Sequence, residues 1–269
     1  MVFGANYTVP KMIKDTVDKY PEVYAQYKRL PNNEFEPITY RDMFQYGMDF
    51  GAALISIGVK KEDKIGLISD NRAEWQQADI GIMAIGAIDV PRGCDATIID
   101  LEKILSITEA QIVIAENNSQ VQKILSIKEK LPALKKFICF ESDIKPETFD
   151  LAKENNVEII NFSEMLKIGQ KWRIENKGKV EELLEAGTGE DVATIIFTSG
   201  TTGDPKGVVL THKNFLAQLD ELPERIFVNP GDKALSVLPI WHVFEREVEY
   251  VIMIQAGTIC YSKPVGSIL

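Results

Sequence analysis

The residues best suited to chemistry lie in a short stretch between two apolar runs. Residues 198–207 hold four hydroxyl side chains, three glycines and one lysine, in the order Thr198, Ser199, Gly200, Thr201, Thr202, Gly203, Asp204, Pro205, Lys206, Gly207. Glycines let backbone amides approach a ligand closely, and successive amides in such a turn form a concavity that holds anions. Because the hydroxyls add hydrogen bonds and Lys206 adds a positive charge, the stretch has the groups that a polyphosphate requires.

Two better-known phosphate loops do not fit this stretch. The Walker pattern places Ser or Thr directly after Gly-Lys, whereas Lys206 lies between Pro205 and Gly207. The dinucleotide fingerprint Gly-x-Gly-x-x-Gly is also absent, and the apolar run after the loop predicts a strand rather than a helix N-terminus. Because Asp204 offsets the charge of Lys206, we expect a bound triphosphate to arrive with Mg²⁺. The competing interpretation is a Gly/Thr-rich hairpin loop that binds nothing.

Alternating helix and strand patterns precede this loop and must position it. Helices are predicted from Thr39 to a stop at Gly58, from Asn71 towards Ile85, from Thr97, and over residues 121–130 and 149–154. Apolar strands are predicted at residues 65–68, 87–90 (closed by Pro91), 112–114, 137–140 and 157–160, and again from Val192. Strands that are apolar throughout and separated by helices indicate parallel sheets covered on both faces.

The predicted fold class is therefore α/β, with doubly wound, mostly parallel sheets flanked by helices. The charged stretch 175–189 is interpreted as a linker, so we expect an α/β subdomain over residues 1–189. A second α/β subdomain that carries the phosphate loop is expected to start within residues 190–269.

Composition excludes several classes of function. The chain has 269 residues, 45% of them hydrophobic, and a formal net charge of −10, whereas nucleic-acid binders need a basic surface. The three widely spaced cysteines favour free thiols in a reducing compartment over a disulfide framework or a thiolate metal site. No signal-peptide pattern and no long apolar segment is found. We therefore expect a cytoplasmic protein without a transmembrane segment, for which transient membrane contact stays open.

The order of residues 198–207 resembles the signature loop of the AMP-forming acyl-CoA synthetases, which belong to the adenylate-forming superfamily. A second string, Leu-Pro-Ile-Trp-His-Val-Phe-Glu-Arg at residues 238–246, resembles the family's Leu-Pro…His segment in the form found in long-chain fatty acid–CoA ligases. Asn-Arg-Ala-Glu-Trp at residues 71–75 resembles a further feature of such enzymes. The similarity extends over essentially the whole chain.

The resemblance implies a ligase that converts a long-chain fatty acid to its acyl-CoA through an acyl-adenylate, with ATP, Mg²⁺ and coenzyme A. By motif position, Thr201, Thr202 and Lys206 would hold the β- and γ-phosphates, within a nucleotide site formed by Thr198, Ser199, Gly200, Thr201, Thr202, Gly203 and Lys206. Thr198 would offer its hydroxyl to Mg²⁺. His242 and Lys206 are the expected catalytic residues, with His242 close to the reacting carboxylate and the α-phosphate.

Some of these residues have simpler interpretations. His242 could merely begin a helix, and His212 is better interpreted as a helix-start residue. Trp241 fits an acyl channel and a packed core equally well. In some long-chain members a gating Trp follows the motif His by one helical turn, but Arg246 stands there. That departure puts the gate in doubt.

The resemblance also implies motifs that the 269 residues do not contain, so the chain is expected to be an N-terminal portion that is inactive alone. Apolar surface is expected to be exposed over residues 251–269, which favours self-association and leaves a homodimer open. Two alternatives for the function remain. One is adenylation of an aryl, short-chain or amino acid, and the other is a non-catalytic nucleotide-binding module.

Overall fold

The computed structural model describes residues 3–30, 32–198 and 205–262, within which ten α-helices and eleven β-strands form. The helices are α1 (Val9–Lys19), α2 (Tyr40–Ser56), α3 (Ala73–Ala84), α4 (Ile98–Thr108), α5 (Asn118–Leu125), α6 (Pro146–Glu154), α7 (Phe162–Glu175), α8 (Lys179–Ala186), α9 (His212–Leu219) and α10 (Val243–Ile254). The strands are β1 (Tyr24–Arg29), β2 (Phe35–Thr39), β3 (Lys64–Ile68), β4 (Ile88–Arg92), β5 (Ile112–Ala115), β6 (Lys136–Cys139), β7 (Glu158–Asn161), β8 (Val192–Thr198), β9 (Lys206–Thr211), β10 (Lys233–Ser236) and β11 (Thr258–Tyr261).

The larger sheet has seven strands in the order β7-β6-β5-β3-β4-β8-β9. Every neighbouring pair in it is parallel except β8 and β9, which form an antiparallel hairpin at one edge. Helices cover both faces. Ile112 and Ile114 of β5 pack in one core with α2, α3 and α7, whereas Val113 and Ala115 pack in the other core with α4, α5 and α6. The predicted α/β class with helix-flanked parallel sheets is confirmed.

A second sheet has four strands in the order β10-β11-β1-β2. Helix α3 is surrounded by other parts of the protein, since each of its twelve residues is buried. The contact between α2 and α7 is also very close: a Cβ added at Gly169 would lie 1.7 Å from the carbonyl oxygen of Asp49. Only glycine permits this approach.

Most predicted helix and strand positions are confirmed, including the N-terminal caps at Thr39 and Thr97. Two expectations within the sheet region need correction. Pro91 lies inside β4, opposite Leu67, rather than closing the strand. It is tolerated because β4 pairs with β8 only at Asp89, so proline's missing N–H breaks no registered pair there. The helix expected over residues 121–130 ends at Leu125 and is followed by a 3₁₀ turn at Lys128–Lys130.

The linker predicted over residues 175–189 is wrong for most of its length, because α8 lies within it. Val180 and Leu184 are buried in the main core. The ammonium of Lys11 donates to the carbonyl oxygens of Glu185 and Gly187, at 2.8 and 2.9 Å. Two buried apolar side chains hold a helix that has four charged residues and an exposed Leu183, which composition alone does not reveal. The subdomain division at residue 190 remains a prediction, and described strands from both sides of it share both sheets.

The apolar surface expected over residues 251–269 is not found where the structure describes that range. Val251, Met253 and Tyr261 are buried, because β11 lies between β10 and β1 in the smaller sheet. Exposed apolar side chains occur on edge strands of both sheets, for example at Val209 of β9 and Leu235 of β10. Within the described ranges, no helix combines the length and hydropathy needed to cross a bilayer.

Candidate functional site

Thr198 and Lys206 face each other at the loop end of the β8–β9 hairpin. They are register partners, and both are exposed. In the part of the chain that the structure describes, the Lys206 ammonium has no ion pair or hydrogen bond, which leaves its charge available to a ligand. The expected phosphate-loop residues Ser199, Gly200, Thr201, Thr202 and Gly203 lie outside the described residues.

His242 lies at the N-terminus of α10. Its Nδ1 accepts a hydrogen bond from the backbone N–H of Phe244 at 3.3 Å. In the neutral imidazole, an accepting Nδ1 leaves the proton on Nε2. The ring is exposed, so this N–H donor is open to a ligand. His242 is thus the N-cap of α10, and its catalytic role stays a prediction.

One turn beyond His242, Arg246 is fully buried in a cluster of polar groups. Its guanidinium donates to Asp79 of α3, to both carboxylate oxygens of Asp89 of β4 (2.9 and 3.2 Å), and to the Tyr250 hydroxyl (2.8 Å). Tyr250 in turn donates to Asp79 at 2.6 Å. The side chain that stands at the position of the gating Trp is therefore a buried link between α10, α3 and β4.

The ion cluster of Arg246, Asp79 and Asp89 contains one guanidinium and two carboxyls, all without solvent contact. Burial raises the pKa of both aspartates, and the nearby guanidinium opposes that rise. Asp89 also accepts a hydrogen bond from the Thr194 hydroxyl of β8, at 3.1 Å. The cluster thus links the hairpin strand β8 to the helix that His242 caps.

Asn71 holds the segment that leads into His242. Its side-chain amide donates to the Ser236 hydroxyl at 2.7 Å and to the Leu238 carbonyl at 2.6 Å, and its oxygen accepts from the backbone N–H of Ile240 at 2.9 Å. Residues 71–75 and 238–246 resemble two separate sequence features of the family, and the structure brings them into contact. Spacing alone could not reveal this contact.

A second buried polar group lies beside this segment. The carboxyl of Glu249 accepts hydrogen bonds from Gln76 (2.8 Å), Ser236 (2.7 Å) and Tyr261 (2.9 Å). Burial raises the pKa of Glu249 to about 7, although these hydrogen bonds act to lower it. Sequence analysis missed Asp79, Asp89 and Glu249. The sequence feature that could have identified them is an acidic residue within an otherwise apolar, buried segment. Such a residue requires a hydrogen-bonding or charged partner.

His212 and Trp241 have different surroundings. His212 is the first residue of α9, as predicted, and is buried; burial lowers its pKa to about 4, and its Nδ1 accepts from the backbone N–H of Val9. Trp241 is half-buried, and its ring lies 6.5 Å from the His242 ring. It also stacks with Arg92.

One group of side chains in the described ranges has atoms close enough to share a metal ion: Asp70, Cys94 and Glu116. Burial raises the pKa of the Cys94 thiol, and protonated thiols are poor ligands. Asp70 accepts from the Cys94 backbone at 3.1 Å and Glu116 from Ser69 and the Asp70 backbone at 2.9 and 2.8 Å. These groups join the ends of β3, β4 and β5 and do not favour a metal site. Thr198 remains the predicted Mg²⁺ ligand.

Comparisons with known proteins show what this chain is similar to. Residues 13–267 match the family model described as "AMP-binding enzyme". Probable acyl-activating enzyme 16, chloroplastic, from Arabidopsis thaliana is 34% identical over 254 residues, which cover 91% of this chain and 34% of that protein. Long-chain-fatty-acid–acyl-carrier-protein ligase AEE15, chloroplastic, from the same plant is 31% identical over 250 residues, with coverages of 91% and 33%. The chain thus spans about a third of the length of these relatives.

The fold also matches a solved structure, the inhibitor-bound N-terminal domain of FACL13 from Mycobacterium tuberculosis. The TM-score is 0.73 at 23% sequence identity, and the match covers 96% of this chain and 57% of that one. This likeness supports the fold: mixed α/β with parallel sheets flanked by helices.

We expect Arg246→Gln to lower the free energy of unfolding by about 3–5 kcal/mol, because it leaves two buried carboxyls without a cation. Adding Asp79→Asn to the same chain should recover part of the loss, since one of those carboxyls is removed. Urea unfolding of the wild type, both single variants and the double variant measures the coupling. Strictly additive effects would show that the two side chains do not interact.

The pKa of Glu249 predicts a pH-dependent stability. Because the folded pKa of about 7 lies above the ordinary value of 4.5, the contribution is fully present below about pH 4.5 and is lost as the pH rises through 7. We expect Glu249→Gln to remove about 3 kcal/mol of this decline. Unfolding midpoints between pH 4.5 and 8 measure it, with the exposed Glu175→Gln as the control variant. Parallel curves for wild type and Glu249→Gln would contradict the assignment.

Proposed function

Because the chain belongs to the family of AMP-binding enzymes, we propose that the protein carrying it activates a long-chain fatty acid with ATP and transfers the acyl group to coenzyme A. The observation that carries the proposal is the pair of residues at the loop end of the hairpin. The exposed Thr198 lies opposite Lys206, whose ammonium has no partner in the described ranges.

The proposed reaction has two steps. A carboxylate oxygen attacks the α-phosphorus of ATP, the bond to the bridging oxygen breaks, and pyrophosphate leaves with an acyl-adenylate as the product. The thiol then loses its proton and attacks the acyl carbon, which releases AMP and gives the thioester. Activation is needed because a carboxylate oxygen is a poor leaving group, whereas AMP is a much better one.

Each described site residue has a proposed role in the first step. Lys206 neutralises charge on the β- and γ-phosphates, and the Nε2–H of His242 donates towards the charge that develops at the α-phosphate and carboxylate. Ser199, Gly200, Thr201, Thr202 and Gly203 complete the phosphate site in this proposal. Mg²⁺ prefers oxygen ligands, and the exposed hydroxyl of Thr198 is such a ligand; the ion would neutralise phosphate charge.

The long-chain fatty acid is proposed on two grounds. The string over residues 238–246 resembles that of long-chain fatty acid–CoA ligases, and one relative is named as a long-chain fatty acid ligase. That relative's name gives an acyl carrier protein as the acceptor, so a carrier-protein thiol is the second candidate acceptor. Aryl, short-chain and amino acids remain the alternative substrates.

Location and assembly are proposed more coarsely. A cytoplasmic location stays a prediction, and the names of two relatives place those proteins in chloroplasts. A homodimer likewise stays a prediction. The activity itself is proposed for the protein that carries this chain, and the 269-residue polypeptide alone is expected to be inactive.

We expect Lys206→Ala, made in the full-length protein, to slow palmitate-dependent ATP–pyrophosphate exchange about 100-fold. Lys171→Ala removes an exposed, weakly paired lysine (nearest carboxylate oxygen 4.0 Å) and should leave the rate unchanged. Exchange is measured with radiolabelled pyrophosphate, and product release with coenzyme A or acyl carrier protein identifies the acceptor.

Three results would distinguish the alternatives. Exchange that depends on benzoate, acetate or an amino acid instead of palmitate would change the substrate. ATP binding without exchange for any acid would indicate a non-catalytic nucleotide-binding module. Unchanged exchange in Lys206→Ala would contradict the role of the hairpin.

A further inference from the structure

Arg92 ends strand β4, beside the strand that leads into the hydroxyl-rich loop. Strands β4 and β8 are parallel and registered at Asp89 and Thr194. Arg92 lies three residues beyond Asp89 in β4, and Thr198 lies four residues beyond Thr194 in β8. Because strands rise by similar amounts per residue, both residues lie at the same edge of the sheet. Arg92 is therefore close to the start of the phosphate loop.

The side chain of Arg92 is held in place by an aromatic ring. The centre of its guanidinium lies 4.5 Å from the centroid of the Trp241 ring. Gly93 makes room for this ring, since a Cβ there would lie 2.2 Å from Trp241 Nε1. Stacking uses the face of a guanidinium and leaves its N–H groups in the plane free for hydrogen bonds. Trp241 directly precedes His242 in the chain, so the cation that stacks on Trp241 lies near His242.

No acceptor in the described ranges uses those N–H groups. Arg72, Arg173 and Arg246 each bind at least one carboxylate, whereas the Arg92 guanidinium has no side-chain hydrogen bond or ion pair there. The half-buried Arg29 also has a side-chain partner, the amide oxygen of Asn33. Among the buried and half-buried arginines of the described ranges, Arg92 alone lacks a hydrogen-bonding side-chain partner. A guanidinium has five N–H donors, and at Arg92 they remain available to an anion.

We infer that Arg92 binds a phosphate oxygen of the nucleotide whose polyphosphate occupies the β8–β9 hairpin, and that Trp241 is the positioning residue that orients it. The inference rests on the proposed function, which places a nucleotide there. A planar guanidinium matches two phosphate oxygens at once, whereas an ammonium binds as a point charge. Arg92 and Lys206 then contact the phosphates from two neighbouring parts of one sheet edge.

The test compares Arg92→Gln and Arg92→Lys with wild type in the full-length protein. Isothermal titration calorimetry measures the Kd for Mg·ATP, Mg·pyrophosphate, AMP, coenzyme A and palmitate. Loss of a charge-assisted hydrogen bond should raise the Kd for Mg·ATP at least 10-fold in Arg92→Gln, with a smaller increase in Arg92→Lys. Arg41→Gln is the matched control, because Arg41 pairs with Glu22 on the surface through exposed side chains.

The ligands separate the sources of the anion. Weaker binding of Mg·ATP together with pyrophosphate or AMP supports the inference and identifies the phosphate. Weaker binding of coenzyme A alone or of palmitate alone overturns it. A Kd for Mg·ATP within twofold of wild type in folded Arg92→Gln also overturns it, as does an equal effect in Arg41→Gln.

Trp241→Leu supplies an independent readout, since it removes the stacking but keeps the charge. We expect it to raise the Kd for Mg·ATP in wild type and to have little further effect in Arg92→Gln. Effects that add fully would overturn the positioning role. If Arg92→Gln does not fold, Arg92→Lys and Trp241→Leu carry the same test. If the wild type catalyses exchange and these variants bind nucleotide normally, this inference alone is refuted. If the wild type catalyses no exchange, the proposed function is refuted.

Discussion

Asp89 has two structural partners, and the rest of the candidate site depends on both. Its carboxylate accepts from Thr194 of β8 and from Arg246 of α10, and it is the residue of β4 that is registered with β8. A buried carboxylate needs hydrogen bonds and an opposite charge, so neither partner is dispensable. The hairpin with Thr198 and Lys206 and the helix that His242 caps are therefore held by one side chain.

Such a cluster is costly, which suggests what it contributes. Desolvating one guanidinium and two carboxyls offsets much of their mutual attraction, and an apolar replacement of similar volume is often at least as stable. What a buried ion cluster supplies is a unique arrangement: a shift of α10 by one residue would leave Asp79 and Asp89 unpaired. Our hypothesis for this protein is that the cluster specifies position more than stability. Asn71 has a comparable role for the segment before His242.

Much of the framework could be predicted from sequence, because β5 is apolar throughout and β3 and β6 are apolar after an initial lysine. Helices α2 and α4 also begin with clear caps, at Thr39 and Thr97. Helix α8 could not, because only Val180 and Leu184 of its eight residues are buried and half of its residues are charged. The hairpin ends Thr198 and Lys206 were recognised from local order, which a strand–loop–strand motif preserves. Asp89, Asn71 and Arg92 depend on contacts between distant parts of the chain, and no local pattern encodes those.

The most direct measurement is a crystal structure of the full-length protein with Mg·ATP. The account predicts phosphate density beside Thr198 and Lys206, at the loop end of the hairpin. The Nε2 of His242 and the Arg92 guanidinium should face this density. Nucleotide bound at another place, or a hairpin without phosphate density at saturating Mg·ATP, would contradict the account.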